Sequence, residues 1–436
     1  MKCAIVAGGM GTRLRSIVGD TPKPMVPLDG VPLLERLIGL CRRFGIVEVH
    51  LLLGYKPEVI RDYFRDGSAF GVQLTYWIEP QPLGTAGSMR QIIPALNGDD
   101  VLVIYGDLFI DMDLNRLINF HRHYQPAATL VVHPNDHPHD SDLIEVEGNR
   151  IVAFHNKPHP EDAYYSNIVN AGVYVLTPRL LHRVPDGREC DFGRDIFPKA
   201  VAAGELLAAY NTPEYIKDIG TPERYHQVER DVRAGKPERC NLLYPRKAIF
   251  LDRDGTVNVL VPLLSRTEDL QLYPGAAQAI HAINSSEYLA VLTTNQPQVA
   301  RGLITTAQLE DIHNKLETLL AREGAKLDAI YYCPHHPDSG YQEEVPELKI
   351  QCRCRKPDTL LFELAAERFN IDLKASAVVG DSVRDLQSAR RLGCRAVLVQ
   401  TGLKGSDVPA SLRPDYEARD LGDAVRWILE SNLDYR

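Results

Sequence analysis

The sequence predicts two successive α/β domains. Three observations carry this expectation. The chain has 436 residues, and at about 150 residues per domain that length fits two or three. Short apolar runs alternate with stretches of helical period, as expected for strands and helices layered on a largely parallel sheet. The alternation also begins twice, at Lys2 and again at Lys247, each time with a strand that runs into glycine and charged residues. Ligands in such sheets sit beyond the carboxyl ends of the strands, where both clusters of polar motifs fall. The expected class is therefore α/β with two Rossmann-like domains.

Residues 2–7 and 49–54 are short apolar runs, and between them Leu33, Leu34, Leu37, Ile38 and Cys41 recur at helical spacing, giving a β-α-β beginning. Further strands are expected at Val101–Tyr105, Thr129–His133 and Ala171–Leu176, and helices near Asp113–His123 and Arg194–Ala203. From about Val228 the chain turns helical and charged and then passes through Gly235-Lys236-Pro237 and Tyr244-Pro245. These breakers place a linker at 235–246, between a domain at 1–234 and one at 247–436. Strands in the second are expected at Ala248–Leu251, Leu289–Thr293, Ala377–Val379 and Ala396–Val399.

Composition excludes several classes. With 44% hydrophobic and 25% charged residues, the chain is neither disordered nor fibrous. The net charge is −9 and neither half is basic, which argues against a nucleic-acid partner. No apolar run reaches membrane-spanning length, and Met1–Gly9 reads as a strand entering a glycine turn rather than a signal peptide, so a cytoplasmic protein without a membrane partner is expected. A homo-oligomer is compatible with this composition. Of 8 cysteines, Cys3, Cys41, Cys190, Cys240 and Cys394 are scattered singly, whereas Cys333, Cys352 and Cys354 cluster. That cluster suggests a metal site rather than a disulfide scaffold.

The first strand leads into Gly8-Gly9-Met10-Gly11-Thr12-Arg13-Leu14, followed by Thr21-Pro22-Lys23-Pro24. Glycines let backbone N–H groups approach phosphate oxygens, and Arg13 and Lys23 add charge. The string matches neither the dinucleotide nor the Walker pattern. It resembles the opening signature of the sugar-1-phosphate nucleotidylyltransferases, and the resemblance continues in order over about 230 residues. Pro82-Leu83-Gly84-Thr85-Ala86-Gly87 is similar to the base-binding loop, Tyr105-Gly106-Asp107 to a metal-binding strand end, Asn170-Ala171-Gly172 to a sugar-contacting segment and Lys217-Asp218-Ile219-Gly220 to the second metal carboxylate. The resemblance implies Mg²⁺ on Asp107 and Asp218, with Arg13 and Lys23 stabilising a triphosphate and its leaving pyrophosphate. It places Gly8, Gly9, Gly11, Thr12, Gly84 and Thr85 on the nucleotide, and Lys157 and Asn170 on the sugar phosphate. Asn156 stands where the family usually has an acidic residue.

The strand at Ala248–Leu251 delivers Asp252-Arg253-Asp254-Gly255-Thr256. Two carboxylates at i and i+2, followed by a glycine that permits a sharp turn, can flank one phosphorus. This resembles the haloacid dehalogenase-like phosphatases, with Thr294-Asn295-Gln296, Arg355-Lys356-Pro357 and Gly380-Asp381-Ser382 following in order across nearly all of 247–436. The resemblance implies that Asp252 is the nucleophile and Asp254 the acid and base. Thr294 and Lys356 would stabilise the phosphoryl group, with Asn295 and Arg355 on the substrate. Mg²⁺ would sit on Asp252, Asp381 and the Asp254 carbonyl, with Asp385 assisting.

Cys333-Pro334-His335-His336 and Cys352-Arg353-Cys354 supply three thiolates and an imidazole across a loop of 16 residues, 336–351. The set suits closed tetrahedral Zn²⁺ on Cys333, His335, Cys352 and Cys354, with His336 the rival ligand. Its spacing resembles the zinc loop of the D,D-heptose 1,7-bisphosphate phosphatases and histidinol-phosphate phosphatases. The interval from Asp252 to Thr294 is too short for a large cap, and Val259-Leu260-Val261-Pro262-Leu263-Leu264 is apolar where those relatives are acidic or carry tyrosine.

A phosphatase that makes a sugar 1-phosphate, joined to a transferase that consumes one, would perform consecutive steps. The resemblance implies removal of the 7-phosphate of D-glycero-D-manno-heptose 1,7-bisphosphate and transfer of a nucleotide, with GTP favoured, to give GDP-heptose. A second reading pairs a mannose- or glucose-1-phosphate nucleotidylyltransferase with a phosphatase of another ester such as histidinol phosphate. A third makes one domain a non-catalytic regulatory module.

Overall fold

The computed structural model describes residues 1–431 apart from 10, 11, 15, 16, 18, 80, 161 and 162. It divides into two compact units. The first comprises Met1–His133, Ser141–Lys157 and Ile168–Leu243; the second comprises Pro134–Asp140, Pro158–Asn167 and the chain from Tyr244 onward. Among the described residues no helix is long and apolar enough to cross a membrane.

The first unit contains β1 (Lys2–Ala7), a ribbon of β2 (Pro27–Leu28) and β3 (Val31–Pro32), β4 (Glu48–Leu53), β5 (Gln73–Ile78), β6 (Val101–Tyr105), β7 (Leu108–Asp111), β8 (Ala128–His133), β9 (Leu143–Glu147), β10 (Arg150–His155), β11 (Val169–Leu176), β12 (Leu207–Asn211) and β13 (Tyr215–Asp218). Nine of these form one sheet in the order β5-β4-β1-β6-β11-β8-β12-β10-β9. The expectation of a largely parallel sheet fails in this unit. β4, β5 and β6 join β1 in a parallel block, but β11 runs antiparallel to both β6 and β8, and β10 antiparallel to β12 and β9. Among the described residues no α-helix lies between β8 and β11, so the chain returns by antiparallel pairing, which needs no crossover helix.

Strand alternation sets the two faces of this sheet. Cys3, Ile5 and Ala7 share a core with Leu34, Leu37, Ile38 and Cys41 of the helix Leu33–Arg43. Ala4 faces the opposite core, with Ala86, Met89, Ile92, Phe192 and Phe197. Asp113 starts the helix Leu114–Tyr124 by accepting the N–H groups of Asn115 and Arg116. The segment expected as a linker is ordered. Gly235, left-handed at φ 64°, and Pro237 start a short helix at Lys236–Cys240, because a glycine-proline string that reads as a turn is also a permitted helix start. Asn241 Nδ2 donates to Asp111 at 2.7 Å and the Leu242 N–H to buried Glu214 at 2.9 Å, which holds the chain to the first unit as far as Leu243.

The second unit carries β14 (Lys247–Leu251), β15 (Tyr288–Asn295), β16 (Ala329–Cys333), β17 (Ala377–Gly380), β18 (Arg395–Val399) and β19 (Tyr416–Ala418). All pair in parallel, in the order β16-β15-β14-β17-β18-β19. Ile249 and Leu251 pack with the helices Ala276–Ser285 and Leu421–Glu430, while Phe250 meets Phe362 edge-on at 5.0 Å on the other face. Thr305 and Gln308 form a capping box that starts the helix Thr306–Ala321.

Gly106 joins β6 to Asp107 against β1, where a side chain would begin 2.8 Å from Ala7 Cβ. Such overpacking costs about 1–3 kcal/mol. Gly106→Val should therefore lower the urea midpoint of the first unit and leave the transition of the second unchanged, as read by tryptophan emission from Trp77 and Trp427.

Candidate active sites

In the first unit a two-stranded ladder brings the paired acids together. β13 runs antiparallel to β7 with Asp218 opposite Leu108, and the Ile219 N–H donates to the Asp107 carbonyl at 3.0 Å. Lys23 Nζ meets Asp107 Oδ2 at 2.6 Å, and Arg224 meets Asp218 Oδ2 at 2.6 Å. The Gly220 N–H donates to Asp218 Oδ1 at 2.8 Å. A side chain at Gly220 would meet Asp218, then Arg13 at 3.5 Å and Lys23 at 3.6 Å, so these groups converge on one backbone position. Burial works against the charge of Asp218, but the Arg224, Gly220 and Lys23 contacts prevail and hold its carboxyl below the ordinary range. Arg224 was not singled out from the sequence; its place three residues beyond the helix cap Thr221 carried no motif.

The remaining first-unit residues fall into two groups. Gly8 follows directly on β1, and Glu79 lies beside it, 3.3 Å from where a Gly8 side chain would begin. Glu79 is 9% exposed, accepts the Leu83 N–H at 3.2 Å, and is shifted upward by burial. Gly84, left-handed at φ 73°, opens a turn of helix packed on the Cys190 backbone, and the Thr85 hydroxyl is engaged by Asp191 at 2.6 Å and by the Phe192 N–H at 3.1 Å. Gly9 has open space around it; Gly11 and the Thr12 side chain lie outside the described residues. Lys157 and Asn170 meet through Asp142, whose carboxylate accepts the Lys157 N–H at 3.2 Å and whose carbonyl accepts the Asn170 N–H at 3.4 Å. The Asn170 side chain also accepts the Gly172 N–H at 3.2 Å.

In the second unit one ammonium organises the carboxylates. Lys356 Nζ lies 2.8 Å from Asp252 Oδ1, 2.6 Å from Asp385 Oδ1 and 2.9 Å from the Thr293 carbonyl. Its backbone is pinned by Asn295, which accepts the Lys356 N–H at 2.9 Å and donates to the Lys356 carbonyl at 3.0 Å. Asp385 is also the third residue of a capping box with Ser382, whose hydroxyl donates to it at 2.6 Å. Gly255 makes room for Asp381, because a side chain built on its left-handed backbone at φ 85° would fall on the Asp381 carboxylate. Asp381 in turn accepts the Leu403 N–H at 2.7 Å.

Asp252, Asp381 and Asp385 each place a carboxylate oxygen within 4.8 Å of the others, a set that can hold a hard divalent cation. Asp385 completes this set; the Asp254 side chain does not enter it, being held by Arg253, Asn258 and Gln296. Burial, moderated by Lys356 and reinforced by the neighbouring Asp385, pushes Asp252 up to about 6. Burial and the neighbouring Asp252 push Asp381 up to about 7. Burial disfavours the charge of Lys356, but its two carboxylates raise it above the ordinary lysine value.

Asp252, Asp254, Thr294, Asn295, Arg355, Lys356 and Asp381 line a cavity of about 350 Å³. Its walls include the apolar run Leu260–Leu264 and the cations Arg301 and Arg384, with His336 beside them. Burial and the nearby charges of Arg384 and Arg301 lower the Arg355 guanidinium, although Cys333 and Cys352 oppose them.

Behind Arg355 the ligand atoms of Cys333, His335, Cys352 and Cys354 gather within 4.8 Å of one another. Their sulfurs are 3.1, 3.3 and 3.5 Å apart, and His335 Nδ1 is 3.2 and 3.8 Å from Cys354 and Cys333. A tetrahedron with metal–sulfur bonds of about 2.3 Å has edges of about 3.8 Å, so the cluster approximates a zinc cage. Burial and the other thiols raise Cys333 strongly, and burial with the Cys352 thiol raises Cys354 to about 11, protons that a bound metal would displace. His336 turns away, accepting the Asp338 N–H at 3.2 Å.

The nucleotidyl transferase family model matches residues 2–235, and the HAD-hydrolase-like model residues 353–424. The chain belongs to the nucleotidyl transferase family in its first half and to the HAD-like hydrolases in its second. Over 233 residues it is 36% identical to a mannose-1-phosphate guanylyltransferase of Mycobacterium tuberculosis, covering 53% of this chain and 64% of that protein. It thus spans less than two thirds of that relative. Over 192 residues it is 42% identical to a D-glycero-D-manno-heptose-1,7-bisphosphate 7-phosphatase of Thermosynechococcus vestitus, covering 42% of this chain and 96% of that protein. It is 28% identical over 233 residues to a D-glycero-alpha-D-manno-heptose 1-phosphate guanylyltransferase of Aneurinibacillus thermoaerophilus, covering 53% of this chain and 98% of that protein.

Because Asp252 and Asp381 are raised above the unfolded value of about 4, the stability they contribute is full below that pH. It is lost as pH rises through about 6 to 7. A divalent cation relieves their repulsion, so Mg²⁺ should raise the second unit's melting temperature by several degrees more at about pH 8 than at about pH 5. Equal shifts in differential scanning calorimetry would contradict the carboxylate crowding.

Proposed function

We propose that the chain is a bifunctional enzyme of nucleotide-activated heptose synthesis. Its second unit removes the 7-phosphate of D-glycero-D-manno-heptose 1,7-bisphosphate, and its first transfers GMP from GTP to the resulting heptose 1-phosphate with release of pyrophosphate. The observation that carries this reading is the charge distribution of the cavity of about 350 Å³: Asp252 faces Lys356, and Arg301, Arg355 and Arg384 line the walls, whose carboxylates among the described residues are Asp252, Asp254 and Asp381. Such a cavity favours a substrate that brings a second anionic group besides the phosphate under attack. The name of the Thermosynechococcus relative, whose length this chain nearly covers, supplies a substrate of that kind.

In the phosphatase reaction Asp252 attacks phosphorus, Lys356 and Thr294 stabilise the transferring group, and Asp254 exchanges protons with the leaving alcohol and then with water. Asp252 and Asp381, with Asp385 behind them, would hold Mg²⁺, which would supply neutralising charge for the phosphate dianion. Cys333, His335, Cys352 and Cys354 would hold a structural Zn²⁺, and so fix the loop that delivers Arg355 and Lys356. In the transferase reaction Arg13 and Lys23 hold the triphosphate and the leaving pyrophosphate, Asp107 and Asp218 would hold Mg²⁺, and Lys157 and Asn170 face the sugar phosphate. Guanine is supported by Glu79. A carboxylate offers acceptors alone, which complements the adjacent N1–H and N2–H₂ donors of guanine, whereas uracil and thymine present one donor between two acceptors.

The relative with higher identity over the first unit is named for mannose 1-phosphate, so mannose 1-phosphate is the second sugar to test. The whole protein should be given heptose 1,7-bisphosphate or mannose 1-phosphate with Mg²⁺ and each of GTP, ATP, CTP and UTP, with products resolved by mass spectrometry. The expected outcome is GDP-heptose with both phosphate and pyrophosphate released; GDP-mannose alone would transfer the first unit to the mannose reading. Asp252→Asn should abolish only phosphate release and Asp107→Ala only nucleotidyl transfer, and loss of both activities in either folded variant would contradict separate sites. Glu79→Gln should lower kcat/KM for GTP about 10- to 100-fold, the range of a charged hydrogen bond, and reduce the preference over UTP.

A further inference from the structure

The residue between the two aspartates is unusual. Arg253 is fully buried, at 0% exposure. Its terminal nitrogen forks onto its own neighbour, 3.1 Å from Asp254 Oδ1 and 2.9 Å from Oδ2. The other terminal nitrogen lies 3.2 Å from Nε2 of buried His313, and Nε has no partner among the described residues. Because a guanidinium only donates, His313 Nε2 must be the unprotonated acceptor. Burial and the Arg253 charge hold this imidazole well below the usual histidine range, consistent with a neutral ring.

A buried guanidinium with one incompletely matched carboxylate is a poor choice for stability alone, since apolar residues of similar volume fill such a place at least as well. What the arrangement does achieve is to fix a carboxylate. Asn258 Nδ2 reaches Asp254 Oδ1 at 3.0 Å and Gln296 Nε2 reaches Oδ2 at 2.9 Å, so each oxygen accepts two hydrogen bonds. Among the described residues only Arg253 spans both oxygens and so sets the plane of the carboxylate. Gln296 is itself aimed by Gln298, which donates to it and, at 3.0 Å, to the Leu264 carbonyl. A neutral imidazole satisfies the second guanidinium nitrogen without drawing the charge away from Asp254, as a second carboxylate would.

We infer that Arg253 is a positioning residue that holds Asp254 in line for proton transfer, and that His313 orients Arg253. The inference rests on the phosphatase reading above and deepens it. In the first half-reaction an Asp252 oxygen bonds to phosphorus, the bond from phosphorus to the ester oxygen breaks with its electron pair going to that oxygen, and the Asp254 carboxylic acid gives its proton to form the alcohol. In the second, water bonds to phosphorus, its proton goes to Asp254, and the electron pair of the Asp252–phosphorus bond returns to Asp252. A misaligned Asp254 therefore harms an ester whose leaving group needs a proton, and spares one whose leaving group is stable as an anion.

The test compares kcat/KM of the full chain with Mg²⁺ on alkyl phosphates (heptose 1,7-bisphosphate and histidinol phosphate) and on p-nitrophenyl phosphate. This parameter reports the steps up to departure of the leaving group. Arg253→Met should lose about 100-fold on the better alkyl ester and less than about threefold on the nitrophenyl ester. Arg253→Lys, which keeps the charge without the fork, should recover part of the loss. His313→Gln, whose amide oxygen can accept from Arg253, should remain within about threefold of wild type on both. Equal losses on the two ester types in Arg253→Met, no loss on either in that variant, a loss above about tenfold on the alkyl ester in His313→Gln, or unfolding of all three variants by circular dichroism would overturn the inference. A wild-type chain that hydrolyses no alkyl ester would instead overturn the phosphatase reading, and the inference with it.

Discussion

Lys356 Nζ, lodged 2.8 Å from Asp252 and 2.6 Å from Asp385, is the contact on which the second unit's site depends. Three carboxylates could not share so small and dry a place without a compensating cation. The ammonium is held from several directions: the Thr293 carbonyl at the end of β15, the Asn295 amide on its backbone, and Asp385, whose own position is set by the capping box of the following helix. Two residues earlier in the chain is Cys354, a member of the Cys and His cluster. A structural metal there would act on the site through two peptide units, which explains why a loop so far from the sheet's centre can matter to chemistry at the end of β14.

The first unit uses the same physics with different parts. Asp107 and Asp218 come from two strands of a short ladder rather than from one turn, and each carries its own cation, Lys23 and Arg224. Both sites thus set a carboxylate against an internal cation before any ligand arrives. A divalent cation and a polyphosphate can then exchange partners with these pairs: the metal takes carboxylates and the lysine or arginine takes phosphate oxygens. Charge is redistributed rather than created, which limits the desolvation penalty of binding.

Much of this was legible in the sequence because the informative groups are close together in it. Asp252-Arg253-Asp254-Gly255, the paired Cys and His strings and Gly106-Asp107 are local patterns whose geometry follows from a strand end and a turn. The expected strands lie within one or two residues of their positions in the fold, since burial on both faces leaves nearly continuous apolar runs. What was not legible depends on long-range contact. The mixed direction of the first sheet follows from missing crossover helices. The helix Lys236–Cys240 hid behind glycine and proline that also mark turns. Glu79 and Arg224 matter only because Gly8 and Asp218 lie beside them, and Asn295, expected on substrate, spends its amide on the Lys356 backbone. Arg253 was overlooked because a residue flanked by two functional carboxylates reads as a spacer until its side chain is seen to turn inward.

The central claim is that Asp252, charged against Lys356 and crowded by Asp385, is the atom donor in covalent phosphoryl transfer. The most direct measurement is to quench the full chain with acid during turnover of p-nitrophenyl phosphate, reduce the acyl phosphate with borohydride, and map the product by mass spectrometry. The account predicts conversion of Asp252 to homoserine and of no other carboxylate. Conversion at Asp254, Asp381 or Asp385, with Asp252 intact, would contradict it.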